Sequence, residues 1–205
     1  MNTVLCDLFF KYGSDKCPAI GHSYSPIYYE FFKEIKETSN HILEIGVGSH
    51  EIMDPLCGDQ YIIGASLFAW KDFFENSLIF GLDTDPSCIF ETDRIQCIYA
   101  DQSNPKSLEK AINQIRKNLA IPSIYFNIIL DDGSHVVSDM LTSFNTLGKY
   151  VSPGGFYIIE DIQEKDLDIF LNLSDASFDL IKVHTGTPQK WDNFVIYKKN
   201  NTNEN

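Results

Sequence analysis

Positive charge is scarce in this 205-residue chain: 16 lysines and arginines face 29 aspartates and glutamates, a formal net charge of −13. Such a chain is repelled by nucleic-acid phosphates and by anionic lipid surfaces, which argues against RNA, DNA and membrane partners. Cysteine is sparse as well. The five cysteines (Cys6, Cys17, Cys57, Cys88 and Cys97) are odd in number and include no CxxC pair, which excludes a zinc-knuckle reading and speaks against a disulfide framework. They read as reduced thiols of a cytoplasmic protein. No apolar run approaches the roughly 20 residues of a membrane span. The first ten residues carry no basic residue ahead of a short apolar stretch, so no secretory signal is expected.

What the chain does hold is core material, 43% hydrophobic and 13% aromatic residues, enough for one large domain. Its elements alternate. Ser25-Pro26 is a helix start, with Ser25 as cap, and Ile27, Phe31 and Ile35 follow at four-residue spacing. His41 to Ile45 reads as a short buried strand. An irregular Gly-containing stretch from Gly46 to Ile63 follows, and then a helix from Gly64 to Phe74. Ser77 to Asp83 and Arg94 to Ala100 are further strands. Asn104-Pro105 caps a helix with Leu108, Ala111, Ile112, Ile115 and Leu119 on one face.

Ile124 to Leu130 is apolar nearly throughout, as central parallel strands are. A helix is expected to open at Gly133-Ser134, and Ser152 to Gly155 reads as a turn before a strand from Phe156 to Glu160. A short helix around Lys165 to Leu171 precedes two strands near Phe178 to His184 and Asn193 to Lys198, close enough to pair as an edge hairpin. The pattern predicts an α/β, Rossmann-like, doubly wound sheet of seven strands, mostly parallel with an antiparallel edge hairpin. It fills a single domain over 1–199 with an N-terminal helical and loop cap (about 1–38) and a disordered tail at 200–205.

Ligands of such sheets sit beyond the carboxyl ends of the strands, and there the informative residues fall. After the first strand comes Glu44-Ile-Gly46-Val-Gly48. A dinucleotide fingerprint needs a third small residue where Glu51 stands. An acidic residue before the first glycine suits the ammonium of a methionine moiety instead. Asp83, ending the second strand, is placed for ribose hydroxyls, and Asp101-Gln102, after the third, for an adenine edge. Together these describe S-adenosylmethionine. The fourth and fifth strands end in Asp131-Asp-Gly-Ser-His135 and Glu160-Asp161. Carboxylates of Asp132, Glu160 and Asp161 on one rim repel one another unless a cation neutralises them, and all-oxygen ligands favour Mg²⁺. His135, three residues after Asp132, has an ordinary pKa of about 6.5 suited to accepting a proton as catalytic base.

These motifs, with Gly13-Ser-Asp-Lys16, His22 to Tyr29, Gly64-Ala-Ser-Leu67 with Trp70-Lys71, and Glu160-Asp-Ile-Gln163, resemble in their order the metal-dependent sugar O-methyltransferases of macrolide biosynthesis, the mycinamicin type, and their cephalosporin hydroxylase-like relatives. The resemblance runs from about Tyr12 to the last strand, without the mycinamicin enzyme's extra N-terminal domain. It implies a class I methyltransferase with Asp132, Glu160 and Asp161 as metal ligands and His135 as base. It matches Glu44, Gly46, Gly48 and Asp83 to the cofactor, and sets Ser66, at a helix start, on the methionine carboxylate.

The expected activity is methyl transfer from S-adenosylmethionine, with Mg²⁺, to a hydroxyl of a sugar or other small-molecule or glycan acceptor. A metal-independent methyltransferase and a non-catalytic binding protein of the same fold stay open. So does assembly into a homo-oligomer. A nicotinamide enzyme is disfavoured by Glu51, and an iron hydroxylase by the single histidine on the acidic rim.

Overall fold

Strand and helix alternate as the apolar patterning requires in a computed structural model, which describes residues 2–173, 175–186 and 192–201. In chain order the elements are α1 (Val4–Tyr12), α2 (Ser25–Phe32), β1 (His41–Ile45), α3 (His50–Cys57), α4 (Ala65–Phe73), β2 (Leu78–Asp83) and β3 (Ile95–Tyr99). Then follow α5 (Pro105–Asn118), β4 (Phe126–Asp131), α6 (Val137–Leu147), β5 (Val151–Ile159), α7 (Leu167–Leu171), β6 (Phe178–His184) and β7 (Phe194–Lys199). One seven-stranded sheet carries the order β3-β2-β1-β4-β5-β7-β6. Strand β1 pairs with β4, β2 with β3 and β4 with β5 in parallel, whereas β7 runs antiparallel to both β5 and β6. The expected mostly parallel sheet with its edge hairpin is the one observed. Among the described residues, no helix is long and apolar enough to cross a membrane. All five cysteines are buried free thiols.

Contacts divide the chain into two units, Met1–Asn40 with Val47–Tyr99 and His41–Gly46 with Ala100–Asn205. The first is built on aromatic rings. Trp70 of α4 is 1% exposed, and its ring centroid lies 4.9 Å from Phe9, 5.8 Å from Tyr28 and 6.0 Å from Phe32. Each such pair adds roughly 0.5–1.5 kcal/mol beyond the area it buries. Helix α1 starts on the Thr3 hydroxyl, which accepts from Cys6 N–H at 3.2 Å, and stops at left-handed Gly13.

The second unit is aliphatic at its centre. Ile128, Ile129 and Leu130 of β4 are buried between β1 and β5, each contributing roughly 1.5–3 kcal/mol by leaving water. Helix α5 is capped as its sequence requires, Asn104 accepting from Lys106 N–H at 3.0 Å with Pro105 at the first turn. Register then sets the rim that carries the acidic motifs. Ile45 of β1 stands opposite Asp131 of β4, and Asp131 opposite Ile159 of β5, so three strands end level. Asp132 N–H donates to Ile45 O, and Glu160 N–H to Asp131 O, both at 2.9 Å.

Four local expectations need correction. Ser25 is the first residue of α2 rather than its cap, and its hydroxyl donates to Cys6 Sγ at 3.1 Å. The stretch from Gly46 to Ile63 contains α3. Pro55 hid it, yet a short exposed helix tolerates the one lost backbone bond, and His50 Nδ1 meets Asp54 Oδ1 one turn on at 2.8 Å. Helix α6 opens at Val137, not at Gly133-Ser134, because left-handed His135 (φ 57°) breaks the helical path. The turn-like Ser152 to Gly155 lies inside β5 as a bulge. Phe126 pairs with Val151 and Ile128 with Phe156, so two steps on β4 meet five on β5. Of the expected tail, Asn200 is anchored, donating its backbone N–H to Ser177 O at 2.9 Å, and 202–205 lie outside the described residues.

Candidate active site

The level ends of β4 and β5 carry the acidic rim. Successive residues of a strand face opposite sides, so the doublet Asp131-Asp132 divides its work. Asp131 turns inward and is fully buried. It accepts from Gln102 Nε2 at 2.5 Å and from the Ser143 hydroxyl. Burial pushes its carboxyl up to about 7, against the opposing pull of the hydrogen bonds from Ser143 and Gln102.

Asp132 turns outward. Its Oδ1 lies 3.2 Å from His135 Nε2, and Asp161 Oδ2 approaches the same nitrogen at 3.7 Å. One ligating atom from each of Asp132, His135 and Asp161 falls within 4.8 Å of the others, and their side chains are 23%, 25% and 11% exposed. Two of these three residues have left-handed backbone, His135 at φ 57° and Asp161 at φ 52°. Such conformations cost of order 1–3 kcal/mol each and gather at functional sites. The donor set fits a hard divalent cation, since two carboxylate oxygens converge on a partly open position. Glu160, expected with them, directly precedes Asp161 and is fully buried, and it is not in the converging group.

The remaining expected residues divide between the units, and each is placed by itself. In the second, Glu44 sits in β1, fully buried opposite Leu130. Gly46 has φ 90°, and a Cβ there would stand 2.0 Å from the Asp132 carbonyl oxygen, so its α-carbon is packed on the acidic turn. Asp101 folds onto its own loop, Oδ1 accepting from Ser103 N–H at 2.9 Å. The Gln102 amide points inward, to Asp131, to Ser143 Oγ at 3.2 Å and to Ser134 N–H at 2.9 Å, rather than outward as a reader of a base edge. In the first unit, Asp83 ends β2 and is tied to backbone. Its Oδ2 accepts from Val47 N–H at 2.9 Å and Gly48 N–H at 3.3 Å, and Oδ1 from Asp85 N–H at 2.8 Å. Gly48 (φ 84°) leaves room for Tyr61, whose hydroxyl donates to Gly48 O at 2.7 Å. Ser66 is the second residue of α4 and buried.

No protein-family model matches the chain. The 8-demethyl-8-alpha-L-rhamnosyl tetracenomycin-C 2'-O-methyltransferase of Streptomyces olivaceus is 33% identical over 159 residues, 78% of this chain and 38% of that protein. Demethylmacrocin O-methyltransferase of Streptomyces fradiae is 37% identical over 141 residues, 69% of this chain and 32% of that protein. Among solved structures, the MycE methyltransferase of the mycinamycin biosynthetic pathway, in complex with Mg, SAH and mycinamycin VI, superposes with a TM-score of 0.74. It is 26% identical, over 99% of this chain and 56% of that one. The chain is a homologue of the macrolide-type sugar O-methyltransferases. It spans only 32–38% of the length of these two curated relatives.

The resemblance read from the motifs thus holds as homology to sugar O-methyltransferases, with their class I fold. Sequence reasoning did not assign Asp131, Ser143 or Tyr61 a role. For Asp131 a signal existed, because adjacent carboxylates at a strand end cannot both face solvent. Ser143 and Tyr61 carry no such signal, since a serine on a helix and a tyrosine in a loop read as ordinary polar positions.

Proposed function

We propose that this chain transfers a methyl group from S-adenosylmethionine to a hydroxyl of a sugar or glycosylated small molecule, with Mg²⁺ held on the acidic rim. The observation that carries it is the convergence of Asp132, Asp161 and His135 within 4.8 Å at the level ends of β4 and β5. Homology to enzymes whose names specify O-methylation, one of a rhamnosyl group, supports the reaction and acceptor class. The net charge of −13 supports a small acceptor over a nucleic acid or membrane surface. Buried free thiols agree with a cytoplasmic location.

Asp132 and Asp161, with Glu160 beside them in sequence, would hold the cation. Glu44, Gly46, Gly48, Ser66, Asp83, Asp101 and Gln102 are the residues assigned to the cofactor from the sequence, although the Gln102 amide is engaged on the acidic turn. When bound, the sulfonium supplies an electrophilic methyl group and the cation polarises the acceptor oxygen. The chain's own part is proton transfer and orientation. His135 takes the acceptor's proton on its imidazole, and the carboxylates of Asp132 and Asp161, 3.2 and 3.7 Å from Nε2, stabilise the imidazolium that forms. Fixing the acceptor in line with the departing sulfur is itself a large part of the acceleration.

The test is methyl transfer from labelled S-adenosylmethionine to glycosylated macrolide acceptors, with excess chelator and then with Mg²⁺ restored. Transfer that stops and returns is expected. Full transfer under chelation would reduce the rim to surface acidity and favour a metal-independent methyltransferase.

A further inference from the structure

The acidic turn is gripped from beneath by a side chain that the proposed chemistry does not use. Gln102 follows β3, is 7% exposed and belongs to the same unit as the turn. Its Oε1 accepts from Ser134 N–H at 2.9 Å, and its Nε2 donates to Asp131 Oδ1 at 2.5 Å and to Ser143 Oγ at 3.2 Å. Asp131 immediately precedes Asp132, and Ser134 immediately precedes His135. One planar amide therefore pins both shoulders of the turn that presents these two side chains. Between the pinned points, Gly133 lies on the amide so closely that a Cβ would stand 2.2 Å from Oε1.

The demand on position 102 is chemically narrow. It needs a donor toward a buried carboxylate and an acceptor toward a backbone N–H, both at glutamine's reach. Glutamate lacks the donor, asparagine lacks the length, and methionine has the length with neither bond. We infer that Gln102 is a positioning residue, setting how Asp132 and His135 face one another and through that the affinity of the rim for a divalent cation. This role replaces the expected contact with an adenine edge, and it rests on the reading of the rim as a cation site with His135 as base. Hydrogen-bond partners behind metal ligands typically carry 10- to 100-fold in metal affinity.

The test uses Gln102→Met in the full chain and two readouts besides activity: Mn²⁺ affinity, from titration followed by electron paramagnetic resonance, and the His135 imidazole resonances of metal-free protein. Mn²⁺ binding should weaken about 10- to 100-fold and the His135 resonances should move. The control is Ser143→Ala, which removes one contact of the amide and one of Asp131 but leaves in place both pins of Gln102, to Asp131 and to Ser134. It should lower the melting temperature while leaving both readouts near wild type. Should Gln102→Met fail to fold, Gln102→Asn, which keeps the amide but cannot span both partners, is read in the same way. A folded Gln102 variant with wild-type Mn²⁺ affinity and unmoved resonances overturns the inference. If the wild-type chain itself takes up no Mn²⁺, the cation reading falls, and the resonances alone decide whether Gln102 positions His135.

Discussion

Two strands of the sheet end in aspartate, and they treat it in opposite ways. Asp83, at the end of β2, is braced by the backbone N–H groups of Val47, Gly48 and Asp85. Asp131, at the end of β4, is fully buried, and besides the backbone of Gly133 two side chains brace it, those of Gln102 and Ser143. A brace of backbone amides survives substitution of the residues that supply it. A brace of side chains is weakened by substitution of any one of them. The difference sets where each region is vulnerable: the first at the aspartate itself, the second at the partners behind it. The turn that carries Asp132 and His135 is attached to the second.

The largest effect should come from the open side of that turn. His135→Ala should keep the fold and lose about 10²- to 10⁴-fold in single-turnover methyl transfer, the usual worth of a general base. Unchanged turnover would make His135 a mere turn residue.

At the backbone-braced end, Asp83→Ala leaves three N–H groups without their acceptor. It should cost roughly 3 kcal/mol in urea unfolding, the scale of a lost charged hydrogen bond. A loss below about 0.5 kcal/mol would show that solvent replaces the carboxylate and that the brace is passive.

At the side-chain-braced end, Ser143→Ala should cost about 1–2 kcal/mol in the same experiment, since Gln102 still donates to Asp131. A cost equal to that of Asp83→Ala would erase the contrast between the two ends.

The smallest effect serves as a reference away from both. On the outer side of α5, Glu109 pairs with Lys149 at 2.5 Å and accepts from the Tyr150 hydroxyl at 2.6 Å. Burial raises its pKa, but the hydrogen bonds from Lys149 and Tyr150 win, and the net shift is downward. A lowered carboxylate contributes stability above its unfolded pKa and loses it as pH falls through the folded value. Glu109→Gln should therefore cost under about 1 kcal/mol near neutrality and nothing once the pH has fallen below the carboxyl's lowered folded pKa. A cost that persists in acid would assign the contact to packing.

Much of this architecture is legible in the sequence. The run from Ile124 to Leu130, found as β4 over Phe126–Asp131, and the Asn104-Pro105 cap each carry a local physical signal, and each holds in the structure. What stayed hidden depends on the direction a side chain takes. An amide just past a strand end reads alike whether it faces a ligand or the core, so the inward bonds of Gln102 leave no trace in the sequence. The left-handed backbone of His135 and Asp161 carries only a weak mark, since aspartate and histidine enter that region more readily than most residues but usually do not. Helix α3 was masked by Pro55, and the bulge in β5 by residues that turns and bulges share.

Gly46 carries a mechanical consequence. Its α-carbon rests on the Asp132 carbonyl with no space for even a methyl group between them. Two surfaces in such contact behave like meshed teeth, because close-packed interiors transmit displacement instead of absorbing it. A push on the chain leaving β1 must travel into the residue that faces His135, without any hydrogen bond changing partner. A substitution at position 46 should thus be felt as a dislocation of the acidic rim, one residue's width of steric pressure delivered across two strands.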